Sequence, residues 1–93
     1  MRFEWDPEKN KRNVSKHRID FKEAETAFED PRAIEIFDDK HSQNENRFIL
    51  IGMSTKEREL TVCYCERNGG SIIRIFSARK ATKNEKEMYE RGF

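Results

Sequence analysis

Residues 59–67 read Glu59-Leu60-Thr61-Val62-Cys63-Tyr64-Cys65-Glu66-Arg67, and after Asn68-Gly69-Gly70 the chain continues Ser71-Ile72-Ile73-Arg74-Ile75-Phe76-Ser77-Ala78. Two runs rich in β-branched and aromatic residues flank a turn of Asn and Gly, which accept positive φ at little cost. The stretch therefore reads as a β-hairpin. Thr82 and Glu85 follow in a Thr-x-x-Glu capping box, which starts a helix over about residues 82–91. Upstream, Arg47 to Ser54 carries apolar residues at consecutive positions and reads as a strand buried on both faces. A polar turn, Thr55 to Arg58, joins it to the hairpin, so residues 47–78 form an antiparallel meander.

Nearer the N-terminus, Arg2 to Trp5 alternates polar and apolar and reads as a short strand. Asp6-Pro7 opens a helix over about 7–17, with Asp as cap and Pro at the first helical position. That helix is nearly all polar apart from Val14, so it lies on the surface or against a partner. Asp20 and Glu23 start a second helix, whose Phe21, Ala24, Ala27 and Phe28 share one face and belong to the core. Asp30-Pro31 ends it. Ala33 to Phe37 reads as a strand and Asp38 to Asn46 as a polar loop. The expected architecture is one α+β domain spanning residues 1–93, with helices packed on one face of a curved sheet.

The chain has 93 residues, of which 40% are charged and 34% hydrophobic, with a net charge of +1. So short a chain buries a small core. Residues 1–46 hold 9 Lys/Arg against 12 Asp/Glu, and residues 47–93 hold 10 against 6. This asymmetry is compatible with a face built for an anionic partner or with an ordinary solvated surface. Cys63 and Cys65 stand two apart in a strand, where a disulfide would be strained, and no second Cys or His pair makes a zinc site. Reduced thiols, no membrane-length apolar run and no signal-peptide core point to a cytoplasmic protein without metal or cofactor.

Strict alternation along residues 72–79 puts Ile73, Ile75, Ser77 and Arg79 on one face, and Ile72, Arg74, Phe76 and Ala78 on the other. An arginine in mid-strand is either paired with a carboxylate or on an open sheet face, because an unpaired buried charge is costly. Arg79, Lys80, Lys83 and Lys86, together with Arg47 and Arg67, are candidates for a positive concavity that binds phosphate and stabilises a phosphorane. Glu66, Tyr64, His41 and Glu45 are able to move or orient protons, and His17, at the end of a solvent-facing helix, is a weaker candidate. His41 equally suits a loop histidine capping backbone groups, and Arg74 a structural Glu–Arg pair. There is no Gly-rich phosphate loop or nucleophilic serine motif.

Four landmarks occur in order: Phe3-Glu4-Trp5-Asp6-Pro7 with Asn13 and Lys16-His17; Phe21 and Ala24 to Asp30-Pro31; His41-Ser42, Glu45 and Arg47 leading to Ile51-Gly52; and Glu66-Arg67 to Arg74-Ile75-Phe76-Ser77-Ala78-Arg79-Lys80-Ala81-Thr82, closing with Glu85 and Tyr89. In this order the chain resembles the BrnT family of type II toxins. The resemblance implies a small RelE-like fold and a metal-independent endoribonuclease that arrests translation. It also implies neutralisation by a BrnA-like ribbon-helix-helix antitoxin in a 2:2 complex, which reaches operator DNA through the antitoxin. On the family's pattern, Arg67, Arg74 and Arg79 are the first candidates for phosphate contact and transition-state stabilisation, with Glu66 and His41 beside them and Lys80, Arg47 and Lys83 as RNA contacts. Phe76 stands where an aliphatic residue is more usual. A degenerate, non-catalytic relative acting as a co-repressor would carry the same fold.

Overall fold

A computed structural model describes residues 1–93. The elements are β1 (Arg2–Glu4), α1 (Pro7–His17), α2 (Phe21–Ala27), β2 (Ile34–Phe37), β3 (Arg47–Met53), β4 (Glu59–Arg67), β5 (Ile72–Lys80) and α3 (Lys83–Arg91). They form one five-stranded sheet in the order β1-β5-β4-β3-β2. Strands β2 to β5 pair antiparallel, as the hairpin and meander pattern predicts. The β4–β5 turn needs three successive left-handed residues, and Asn68, Gly69 and Gly70 supply φ of +53°, +68° and +92°. Strand β1 instead pairs parallel with β5, Arg2 opposite Ile72 and Glu4 opposite Arg74.

The helices do not share one face, contrary to the sequence expectation. α2 packs Phe21, Ala24 and Ala27 onto Leu50, Leu60, Val62, Tyr64, Ile73, Ile75 and Ala78, with Ile19 completing this main core. α3 covers the opposite face, where Tyr89 and Ala81 meet Ile51. The two-sided apolar character of β3 accounts for this: Leu50 faces α2 and Ile51 faces α3, so each side needs a cover. Aromatic rings extend the main core, with Tyr64 stacked on Phe48 at 5.6 Å and edge-on to Phe28 at 4.9 Å. The Tyr64 hydroxyl donates to Glu35, and burial together with that bond pushes its pKa far up. Tyr64 is thus a core residue whose hydroxyl is engaged by Glu35.

Helix α1 is held by polar bonds rather than apolar packing. Buried Asn13 donates to the carbonyls of Ile19 and Ala78, each at 2.8 Å, and accepts from the Ala78 N–H at 3.1 Å. It bonds the β5 edge as a neighbouring strand would, beyond the point where three-residue β1 ends. Asn10 accepts from the Phe21 N–H at 2.9 Å and so fixes the start of α2.

Strand β5 carries a bulge. Tyr64 faces Ile75 and Cys63 faces Ser77, so Phe76 has no partner in β4. The extra residue inverts the alternation beyond it. Ile73, Ile75 and Ala78 all point into the main core, and Arg74, Ser77 and Arg79 share the other face. Strict alternation had separated Arg74 from Arg79, and the bulge overturns that assignment.

Candidate active site

The sheet register builds the first part of the site. Arg47 of β3 lies opposite Cys65 of β4, Cys65 opposite Arg74 of β5, and Arg74 opposite Glu4 of β1. All four lie in one row on the face away from α2. The Arg74 Nη1 donates to Glu4 at 2.8 Å, so the mid-strand charge is paired as well as partly solvated. Glu45 sits between two arginines, with one oxygen 3.4 Å from Arg47 and the other 3.4 Å from Arg67. Burial, with Glu45 adding to it, pushes the Cys65 thiol up, so it stays protonated beside the guanidinium of Arg67.

His41 reaches the same place from the loop before β3. Together with Gln43, Asn44, Glu45 and Arg47 it lines an open, wholly polar cleft. Its Nδ1 lies 2.9 Å from Asp38 Oδ2. A carboxylate only accepts, so Nδ1 carries the proton and Nε2 of the neutral ring is left as acceptor. The ring is exposed and Asp38 is nearly covered. His41, Glu45 and Arg47 thus line one cleft, Arg67 reaches it through Glu45, and Arg74 stands two strands from Arg47 in the same row.

The other candidates lie elsewhere. Arg79 shares the face of Arg74 but stands roughly 15 Å along the strand. There it grips Glu85 with both arms, at 2.7 and 2.9 Å. Glu85 also accepts from the Thr82 N–H and the Thr61 hydroxyl, and the pairing with Arg79 is the main cause holding its carboxyl at about 2. Glu66 is exposed and lies opposite Ile73 on the α2 side, away from Arg67 and Arg74. Lys80 shares a small cleft with Lys86 and Arg58 at the far end of β5, and Lys83 is exposed at the start of α3. The structure brings neither lysine to the arginine row. Arg58 itself is tied to buried Glu23.

A second cleft adjoins the first. It lies between α1 and the bulged part of β5 and is lined by Lys9, Arg12, Asn13, Lys16, His17, Phe76 and Ser77. Arg47 connects the two, since its guanidinium stacks 4.1 Å from the centre of the Phe76 ring while lining the His41 cleft. The signal for this cleft was present in the sequence: positions 9, 12, 13 and 16 fall on one helical face. An almost wholly polar helix hides such a face, because no apolar stripe orients it. No group of three or more His, Cys, Asp or Glu side chains is placed to hold a metal ion.

Chemically, the first cleft offers guanidinium donors that bind phosphate oxygens, and two groups that exchange protons. A family model described as "Ribonuclease toxin, BrnT, of type II toxin-antitoxin system" matches residues 5–85. Among solved structures, the chain is similar to the Brucella abortus ribonuclease toxin BrnT, known from a 1.1 Å crystal structure. The TM-score is 0.66 and the identity 22%, over 89% of this chain and 99% of that one. At that identity the likeness shows a shared fold. No match is found among curated proteins. The family match spans both α1 and the arginine row, and the chain belongs to the BrnT family of ribonuclease toxins of type II toxin–antitoxin systems.

Proposed function

We propose that the protein is a metal-independent endoribonuclease whose cleavage site is the cleft of His41, Glu45, Arg47, Arg67 and Arg74. The reading is carried by one observation: Glu45 lies between Arg47 and Arg67, one carboxylate oxygen to each, in the cleft that His41 lines. An incoming phosphodiester competes with Glu45 for those guanidinium groups, and Arg74 adds a third cation. The ribose 2′-oxygen attacks phosphorus, the bond from phosphorus to the 5′-oxygen breaks, and a 2′,3′-cyclic phosphate and a 5′-hydroxyl result. His41 Nε2 or Glu45 takes the 2′-hydroxyl proton, and that same group, now protonated, or water gives one to the leaving oxygen. The arginines stabilise charge that accumulates on the phosphorane.

Arg79 serves this reading through α3, whose position it fixes, and Glu66, Lys80 and Lys83 stand outside it. Cleavage of cellular RNA arrests translation, and a ribbon-helix-helix antitoxin in a 2:2 complex neutralises the toxin in the cytoplasm, reaching operator DNA on its behalf. Expressed alone, the wild-type chain is expected to stop growth, while folded Arg74→Ala and Arg47→Ala chains are not. Growth arrest by both variants at wild-type level removes this residue assignment. Growth arrest by none of the three chains, with no RNA degraded, favours a non-catalytic co-repressor.

A further inference from the structure

Ion pairing divides the cations of this protein into two groups. Arg47, Arg58, Arg67, Arg74 and Arg79 each have a carboxylate partner. Lys9, Arg12 and Lys16 are among the cations that have none, and they differ from the rest in lining one cleft; the one ion pair on α1 joins Lys11 to Glu8. All three are exposed and line the α1–β5 cleft. From Lys9 to Lys16 they extend about 10 Å along the helix, so they run as a track rather than converge on a single anion. The cleft floor is Phe76, displaced from the β4–β5 ladder by the bulge. One cation, Arg47, packs on its ring at 4.1 Å, and the Lys9 ammonium stands 5.0 Å from the ring centre. Lys9 is a flexible side chain at a helix surface, so it swings aside more readily than the shorter-range Arg47 contact breaks. Stacking a flat partner on the ring requires Lys9 to swing aside, which would free its ammonium for an anion.

We infer that the α1–β5 cleft is a single-stranded RNA subsite, in which Phe76 stacks one base and Lys9, Arg12 and Lys16 follow the backbone phosphates adjoining the cleavage cleft. The inference rests on the ribonuclease reading for its direction, because Arg47 links the two clefts. The chemistry fits a nucleic acid better than an acidic protein segment: an aromatic floor beside a linear run of unpaired cations is how sequence-tolerant single-strand binding is built. The cleft volume of about 330 Å³ is at the small end for ligand sites, which suits one nucleotide rather than a folded helix.

The test uses a fluorescent single-stranded RNA octamer carrying 2′-O-methyl groups throughout, which binds but has no 2′-hydroxyl to react. Anisotropy is followed from low to moderate salt for wild type, a Lys9→Ala/Arg12→Ala/Lys16→Ala variant, Phe76→Ala, and Lys22→Ala as a control on α2. The triple variant is expected to lower the slope of log affinity against log salt by about 2, at roughly 0.7 per phosphate contact on a single strand. Phe76→Ala is expected to weaken binding about 5- to 150-fold, the range for losing one base–aromatic stack, with less change in slope. Unchanged affinity and slope in the triple variant overturn the subsite. So does a triple variant that keeps RNA affinity while losing capture by the co-expressed antitoxin, which assigns the face to the protein partner. Cleavage of unmodified RNA, scored separately, keeps the two proposals apart. Octamer binding through this cleft without any cleavage sinks the enzyme and keeps the subsite; cleavage with no effect of the triple variant does the reverse.

Discussion

Glu85 accepts four hydrogen bonds, two from Arg79 and one each from Thr61 and the Thr82 N–H. Its carboxyl is held at about 2, well below its ordinary value of 4.5. A carboxylate depressed in this way adds stability that is complete above about pH 4.5 and is lost as pH falls toward 2. Glu85→Gln should therefore lower stability at neutral pH and flatten the acid limb of the urea-unfolding profile between pH 4.5 and 2. Parallel profiles for the two proteins would refute this. Arg79→Ala breaks the same tie from the other side and is expected to reduce stability by about 1 kcal/mol, as for a partly exposed charged hydrogen-bond pair. Per folded molecule, its RNA cleavage should fall less than that of Arg74→Ala. Sequence put Arg67, Arg74 and Arg79 together as basic residues of one motif. Which arginine is already occupied by a carboxylate depends on Glu45, Glu4 and Glu85, and two of these come from distant parts of the chain.

At the scale of elements, the caps and turns were readable because their chemistry is local. Asp6 caps α1, Asp20 caps α2, and Thr82 with Glu85 forms the full capping box of α3. The bulge at Phe76 was not readable. One unpaired residue leaves no compositional mark, yet it moves Arg79 to the face of Arg74 and Ala78 into the core. Deleting Phe76 should make Ser77 follow Ile75 in a regular strand, with Ser77 and Arg79 kept on their present face and Ala78 in the core. The expected outcome is cooperative unfolding retained by circular dichroism, and loss of the two-state transition would contradict the register. The attachment of α1 depends on Asn13, whose loss leaves the N–H and carbonyl of Ala78 without their partner. Asn13→Ala should cost about 2–3 kcal/mol in urea unfolding, as for buried polar groups left unsatisfied. The close approach of α2 to β3 admits no side chain at Gly52, since a Cβ there would lie 2.8 Å from the Ala27 carbonyl oxygen and 3.0 Å from the Ala33 Cβ. Gly52→Ala is expected to cost about 1–3 kcal/mol by overpacking.

For the whole molecule, the sheet gathers residues that are far apart in sequence. The parallel β1–β5 pair sets Glu4 against Arg74, 70 positions apart. The His41 loop and the β3–β4 edge bring Glu45 to Arg67. Local pattern contains neither pairing, which is why the sequence yielded the class of fold and the type of chemistry but left the membership of the site open. Motif order was informative where local pattern was not: the family it implied is the family whose model matches. No helix is long and apolar enough to cross a membrane. The central claim is that RNA is cut through its own 2′-hydroxyl by the arginine cleft. The most direct measurement incubates the purified protein with RNA, with and without a metal chelator, and identifies the new ends. Cleavage that persists with chelator, leaving 2′,3′-cyclic phosphate and 5′-hydroxyl ends and falling about 100-fold or more in Arg74→Ala, is the predicted result, by analogy with removing one donor to a developing oxyanion. Intact RNA under both conditions, or cleavage that requires added metal, would contradict it.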